Sequence, residues 1–271
     1  MTQLADHKNA TAAATLSADY RDRFDGVARL YGEAALARFH SAHVAVIGVG
    51  GVGSWTAEAL ARSGVGELTL FDLDDVCVSN TNRQLHTLNS TLGELKVDVL
   101  AERCRDINPD IQVHARQQFI TPDNLADSGL AEMDFVVDAI DSVRVKVALV
   151  CFLRQMGVPY VLTGGAGGQI DPTRVRRGDL SKAIQDPLAA RVRQTLRQQY
   201  GFAKGGKNMK VPCIFSDEPL MYPQDDGTVC ATKNLSGGTR MNCAGGFGAA
   251  MAVTATFGMV AASAALEHLS A

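Results

Sequence analysis

Short apolar runs alternate with longer segments of helical period over the first 164 residues. HVAVIGV, His43 to Val49, reads as a buried strand. A glycine turn follows, then a helix from about Gly53 to Ser63 and a second strand, ELTLFD, Glu67 to Asp72. GELKVDVLAERCRDIN places Leu95, Val99 and Ile107 near helical spacing, and Asn108-Pro109 ends that helix. IQVHA is a short third strand. Thr121-Pro122-Asp123 combines an N-cap with proline at the first helical position and predicts another helix. MDFVVDAI, Met133 to Ile140, is again a buried strand; Ser142 caps a helix to about Met156, and VPYVLTG closes the series. The alternation predicts an α/β fold, a doubly wound, Rossmann-like and mainly parallel sheet, through at least Gly164.

Beyond that point the rhythm breaks. GGAGGQIDPTRV suggests a turn into an extended segment, Ala189 to Tyr200 reads as helical, and Gly201 to Gln224 has no clear period. Without a repeat or a linker, residues 21–271 are expected to form one domain with C-terminal elaborations. Residues 1–20 lack the apolar stretch of a signal peptide and read as a flexible extension. Met241 to Leu266 contains no charged side chain and is long enough to span a bilayer. Its Ala, Gly, Thr and Ser content favours a buried or interface helix, with membrane association the lesser alternative.

Composition narrows the class. The net charge of −3 excludes a chain that binds polyanions with its whole surface. Six cysteines (Cys77, Cys104, Cys151, Cys213, Cys230 and Cys243) form no C-x-x-C pair. Reduced thiols, a cytoplasmic location and no bound structural metal are therefore expected.

The candidate chemistry begins at Gly48-Val49-Gly50-Gly51-Val52-Gly53, between a strand and a helix. In that context Gly48, Gly50, Gly51 and Gly53 let backbone N–H groups and a helix N-terminus face phosphate oxygens. Asp72, ending the next strand, is placed to accept hydrogen bonds from ribose hydroxyls. NAD carries a pyrophosphate that the helix N-terminus largely neutralises. ATP under attack at phosphorus carries more charge and needs cations. Arg83 and Lys96 supply such cations, and Asp141, just past a strand's carboxyl end, is a candidate Mg²⁺ ligand. Together they favour ATP over NAD.

GVGGVG, the Asp72 strand end, SNTNRQ, the lysine of GELKVD and the acidic DAIDS resemble the ubiquitin-activating-enzyme-like superfamily that includes ThiF. The resemblance implies a homodimer that binds ATP and Mg²⁺ and activates a carboxylate as an acyl adenylate. It implies that Gly51 approaches the phosphates, that Asn82, Arg83 and Lys96 bind them, and that Asp141 holds the metal. It also implies that Arg29 reaches across the dimer into the other subunit's site. TGGAGGQIDPT, IQDPLAA, YPQDDGTVCA and CAGGFGAA are similar to the superfamily's tRNA-modifying branch. That likeness implies ATP-dependent cyclisation, with loss of water, of threonylcarbamoyladenosine next to the anticodon, and a cysteine-desulfurase system as a further partner. Adenylation of a ubiquitin-like sulfur carrier is the alternative, followed by an NAD-dependent dehydrogenase and a non-catalytic scaffold.

Charge bears on the substrate. Residues 174–210 hold ten Lys/Arg against Asp179 and Asp186, a local excess of eight in a chain of net −3. Arg174, Arg176, Arg191, Arg193 and Arg197 are the candidate tRNA contacts; the alternative is a solvated face with a mobile basic loop. No cysteine joins the catalytic set, because ring closure supplies its own nucleophile. His86 is expected to be structural.

Overall fold

The computed structural model describes residues 16–224, 226–231 and 247–271. Two helices open it, α1 (Ala18–Tyr31) and α2 (Glu33–Ser41). Then come β1 (His43–Ile47), α3 (Gly53–Ala61), β2 (Glu67–Asp72), α4 (Lys96–Ile107), β3 (Gln112–Gln117), β4 (Phe135–Asp138), α5 (Val143–Met156) and β5 (Tyr160–Thr163). The C-terminal part adds β6 (Val175–Asp179), α6 (Pro187–Gln199), β7 (Pro212–Ser216), a small ribbon of β8 (Tyr222–Pro223) and β9 (Val229–Cys230), and α7 (Met251–Ser270).

Seven strands form one sheet in the order β3-β2-β1-β4-β5-β7-β6, parallel except for β6 at the edge. β1 pairs with β2 on one side and β4 on the other, so the connections leaving β1 and β4 diverge above their carboxyl ends. That divergence opens the crevice in which such sheets bind ligands. Alternate strand residues feed two cores. Val44, Val46, Leu68 and Leu70 pack against α3, α4 and α7, while Ala45, Ile47, Phe71 and Val136 face α5.

The doubly wound pattern holds through Gly164, with four differences. The stretch 18–20 belongs to α1, not to an extension: Ser17 caps the helix, Tyr20 is buried against Phe24, and its hydroxyl donates to the Gly64 carbonyl. Residues 1–15 lie outside the described residues. The helix expected at Thr121 is replaced by turns and one 3-10 turn at Leu130–Glu132. Asn124 closes the turn on itself, accepting from the Thr121 N–H at 2.8 Å and donating to the Phe119 carbonyl at 2.9 Å. Such local side-chain bonds compete with a helix. Ser142 stands at the N-cap of α5, yet its side chain makes no capping bond. The unpatterned stretch 201–224 contains β7, paired with β5 inside the sheet, and the extended segment after Gly168 becomes the antiparallel edge strand β6.

The uncharged C-terminal stretch is a packed helix over Met251–Ser270; residues 241–246 of it lie outside the described residues. α7 is long and apolar enough to cross a membrane, but half of its most apolar window is buried in the fold. Its small residues have a local reason. A Cβ on Gly258 would stand 2.6 Å from the Val52 carbonyl oxygen, and Thr56 Oγ1 donates to the Gly258 carbonyl at 3.2 Å. α3 and α7 thus touch backbone to backbone.

Candidate nucleotide site

The turn between β1 and α3 closes without room for a side chain. Gly48 sits at φ +81°, and a Cβ on Gly53 would lie 1.8 Å from the Gly48 carbonyl oxygen. Gly48 also abuts the segment just after β4, where a Cβ would meet Ile140 at 2.9 Å. The turn therefore lines one wall of the crevice and residues 139–141 the other. Asp72 locks the turn: its Oδ2 accepts from the Val49 N–H and its Oδ1 from the Asp74 N–H, at 2.9 and 3.0 Å. Each oxygen keeps a further lone pair for a ligand hydroxyl.

Arg83 lies over the turn, its Cγ 3.2 Å from where a Gly51 Cβ would be. Its guanidinium donates to the Ser79 carbonyl and the Asn82 side-chain oxygen, while its own carbonyl accepts from the Trp55 indole of α3. Asn82 donates to the Ala249 carbonyl at 2.7 Å, tying this loop to the entry of α7. A Cβ on Gly50 would stand 3.6 Å from Gln84. Lys96 is buried at the first position of α4, with its Nζ 2.8 Å from Asp74. Asp141 is exposed at the carboxyl end of β4 and makes no hydrogen bond or ion pair among the described residues. These residues gather at one end of the sheet. Arg29 does not join them: it is 77% exposed on α1 and pairs with Asp25 at 2.7 Å.

The basic segment is not one patch. β6 runs down the sheet and α6 leads away from its carboxyl end, so 174–210 visits both ends. Arg174, Arg176 and Arg191 belong to the nucleotide end; Lys182, Arg197, Lys204, Lys207 and Lys210 belong to the opposite one. Several charges also have partners. Arg174 and Arg176 share Asp217, and Arg177 pairs with Glu267. Arg193 donates to the Leu180 and Ala183 carbonyls, and Arg197 to that of Ala203, so both brace α6. Beside the start of α6, Gln185, Arg193, Leu220 and Tyr222 help line an open cleft of about 270 Å³.

Sequence reasoning missed a buried charge cluster behind this site. Lys146 of α5 bonds Asp138 of β4 at 2.9 Å, both fully buried. Burial raises the Asp138 carboxyl above the usual carboxylate range, against the pull of Lys146. Asp138 Oδ1 also accepts from the Ile140 N–H, which fixes the strand end that carries Asp141. Asp186 caps α6 and accepts from Gly165; burial raises its carboxyl too, against a weaker pull from Lys146. The signal was present in the sequence as Asp138 inside an apolar strand and Lys146 inside an apolar helix face. His86, expected to be structural, is buried with no hydrogen-bond partner for either ring nitrogen among the described residues. Burial, and then Lys96, lowers its pKa to about 4.

The model of the ThiF family matches residues 25–271. The tRNA threonylcarbamoyladenosine dehydratase of Escherichia coli (strain K12) is 55% identical over 258 residues, 94% of this chain and 96% of that one. The crystal structure of E. coli tRNA N6-threonylcarbamoyladenosine dehydratase in complex with ATP aligns with a TM-score of 0.84 at 49% identity, covering 94% and 97% of the two chains. The E. coli sulfur carrier protein ThiS adenylyltransferase is 36% identical over 129 residues, 47% of this chain and 51% of that one.

Two outcomes are expected. Arg83→Ala should reduce ATP-dependent turnover about a hundredfold, the effect of losing an oriented charge worth on the order of 3 kcal/mol. Its thermal midpoint should stay near that of the parent, because the guanidinium is exposed. Near-parental turnover would remove Arg83 from the phosphates. The second concerns acid. Between pH about 6.5 and 4 the unfolded chain holds a proton on His86 that the folded chain rejects, so this contribution to stability falls as pH falls. From pH 7 to 5 the His86 share amounts to about 2 kcal/mol. Urea unfolding of His86→Leu at both pH values should lack that share; an equal loss in both proteins would sink the assignment.

Proposed function

The chain belongs to the ThiF family, and from that membership we propose that it is an ATP-dependent, tRNA-modifying cyclase. Its substrate in this reading is the threonylcarbamoyladenosine of tRNA, the nucleoside that the names of its relatives print. One observation carries the choice within the family: the dehydratase match spans 94% of this chain and 96% of that one, and so extends well beyond Gly164. The sulfur-carrier enzyme matches less than half of this chain.

In this reading, backbone N–H groups of Gly50, Gly51 and Gly53 meet the phosphates, and Asp72 meets the ribose. The Gly48 N–H, expected among them, is instead taken by the Phe71 carbonyl at 2.8 Å, so Gly48 shapes the turn. Asn82, Arg83 and Lys96 hold phosphate charge. Lys96 would exchange its exposed partner Asp74 for the nucleotide. The carboxylate of Asp141, without a partner among the described residues, suits a hard cation bound through oxygen. Magnesium, when bound, would neutralise charge on the phosphate oxygens. The threonyl carboxylate attacks the α-phosphorus and pyrophosphate leaves. The carbamoyl nitrogen then attacks the activated carbonyl, loses its proton and expels AMP, which closes the ring. No thiol is needed, because ring closure supplies its own nucleophile; for Cys104, Cys151 and Cys213, burial also disfavours the thiolate. Of the candidate tRNA contacts, Arg174, Arg176 and Arg191 share the nucleotide's end of the sheet, and the cleft beside α6 would take the modified nucleoside. The cytoplasm, where tRNA is found, is the corresponding location. Arg29, remote from its own turn, serves the partner subunit of a homodimer.

Nucleoside mass spectrometry tests the reaction. The chain, ATP and Mg²⁺ should remove the mass of one water from threonylcarbamoyladenosine in tRNA and leave a diglycine-ended carrier protein unmodified. The opposite pattern would establish the sulfur-carrier reading. Subunit mixing tests the shared site. Arg29→Ala and Asp141→Ala homodimers should each be nearly inactive. After exchange half of the dimers are mixed, each with one doubly defective and one intact site, so about a quarter of the parental activity should return. Differently tagged subunits verify exchange; verified heterodimers without recovery would place Arg29 in its own subunit's site.

A further inference from the structure

Three adjacent strands place a polar cluster on the sheet far from the nucleotide turn. His43 opposes Glu67 in the β1–β2 register, and Thr69 opposes His114 in the β2–β3 register. Period two puts all four side chains on one face. This is the face where the β3–β4 crossover lacks a helix. Ile120, Leu125 and Leu130 of that crossover cover the neighbouring core residues, while His43, Glu67 and His114 stay 21%, 31% and 39% exposed.

We propose that His43, Glu67 and His114 bind a divalent transition-metal ion of the zinc class, leaving one coordination position to water. Glu67 Oε1 lies 3.5 Å from His43 Nδ1 and 2.7 Å from His114 Nε2, and the three ligand atoms all fall within 4.8 Å of one another. Tetrahedral zinc with bonds of 2.0–2.2 Å sets ligand atoms about 3.3 Å apart. Adjustments of about an ångström, open to partly exposed side chains, meet that requirement. Two imidazoles and a carboxylate are the donor set of open zinc sites, and imidazole disfavours magnesium or calcium. His43 Nε2 lies 2.7 Å from Thr69 Oγ1. A proton held there leaves the Nδ1 lone pair toward Glu67, the outer-shell arrangement that orients metal-binding histidines. Asp134 accepts from the His43 backbone N–H, and Glu132 adds negative charge nearby. The ion would clip β1, β2 and β3 together where no helix covers them.

The test uses the full-length protein, stripped with a chelator and titrated with Zn²⁺ against a chromophoric competitor. One tightly bound zinc per chain is expected. Cobalt should give tetrahedral ligand-field bands without a thiolate charge-transfer band, which separates this site from the cysteines. Thr69→Val should weaken zinc about tenfold, and His114→Ala and Glu67→Gln by more. His114 is partly exposed on edge strand β3, so its variant should keep the parental circular dichroism. Failure to bind zinc, a thiolate band, or parental affinity in both ligand variants would overturn the proposal.

Discussion

The close approach of Gly53 to the Gly48 carbonyl is the constraint on which the rest of the site depends. Any side chain at Gly53 would collide with backbone at 1.8 Å, a contact that no rotamer relieves. The approach lets α3 begin directly above β1 and turns its first N–H groups into the crevice. Asp72 can then reach across from β2 to the Val49 N–H. Trp55, two residues into α3, holds the Arg83 carbonyl, and the arginine stem settles over Gly51. Gly258 repeats the device on the other side of α3, so that α7 rests on the Val52 carbonyl. The glycine turn, the arginine above it and the last helix below it form one close-packed unit.

Electrostatics continues that unit behind the sheet. Lys146 and Asp138 are wholly buried, a costly arrangement unless hydrogen bonds complete it. Here the cost has a use at the strand end. Asp138 holds the Ile140 N–H, and the Lys146 ammonium reaches both the side chain and the backbone carbonyl of Asp138. Asp186, more weakly attracted to Lys146, fixes Gly165 beyond β5 and the start of α6. The two segments that flank the crevice after β4 and β5 are thus referred to the same buried lysine. Asp141 itself makes no hydrogen bond or ion pair among the described residues.

Legibility in the sequence followed the range of the interactions. Apolar runs and glycine spacing report local backbone demands, so β1, α3, β2, α4 and β4 through β5 were readable, as were the residues of the turn. The helix expected at Thr121 failed because Asn124 competes for the same backbone groups, and capping rules do not weigh that competition. β7 was invisible because PCIFS is a strand through its pairing with β5, not through any period of its own. The N-terminal helix was missed for a similar reason: Tyr20 is held by Gly64, a residue far along the chain.

Charge showed the same limit more sharply. The excess of eight between 174 and 210 is correct along the chain, but β6 and α6 divide it between opposite ends of the sheet. Asp217 and Glu267, outside the window, return to pair with Arg174, Arg176 and Arg177. A linear window measures composition, whereas a nucleic acid meets a surface. The converse holds for His43, Glu67 and His114. Cysteine spacing offered no structural zinc site, and these three side chains are too far apart in sequence to suggest one. Parallel register brings them together, because β1, β2 and β3 start in step at the same end of the sheet. In a doubly wound fold, chemistry arises at strand ends through loop residues close in sequence, and on strand faces through residues that only the register makes neighbours. The nucleotide turn is of the first kind, and the histidine cluster is of the second.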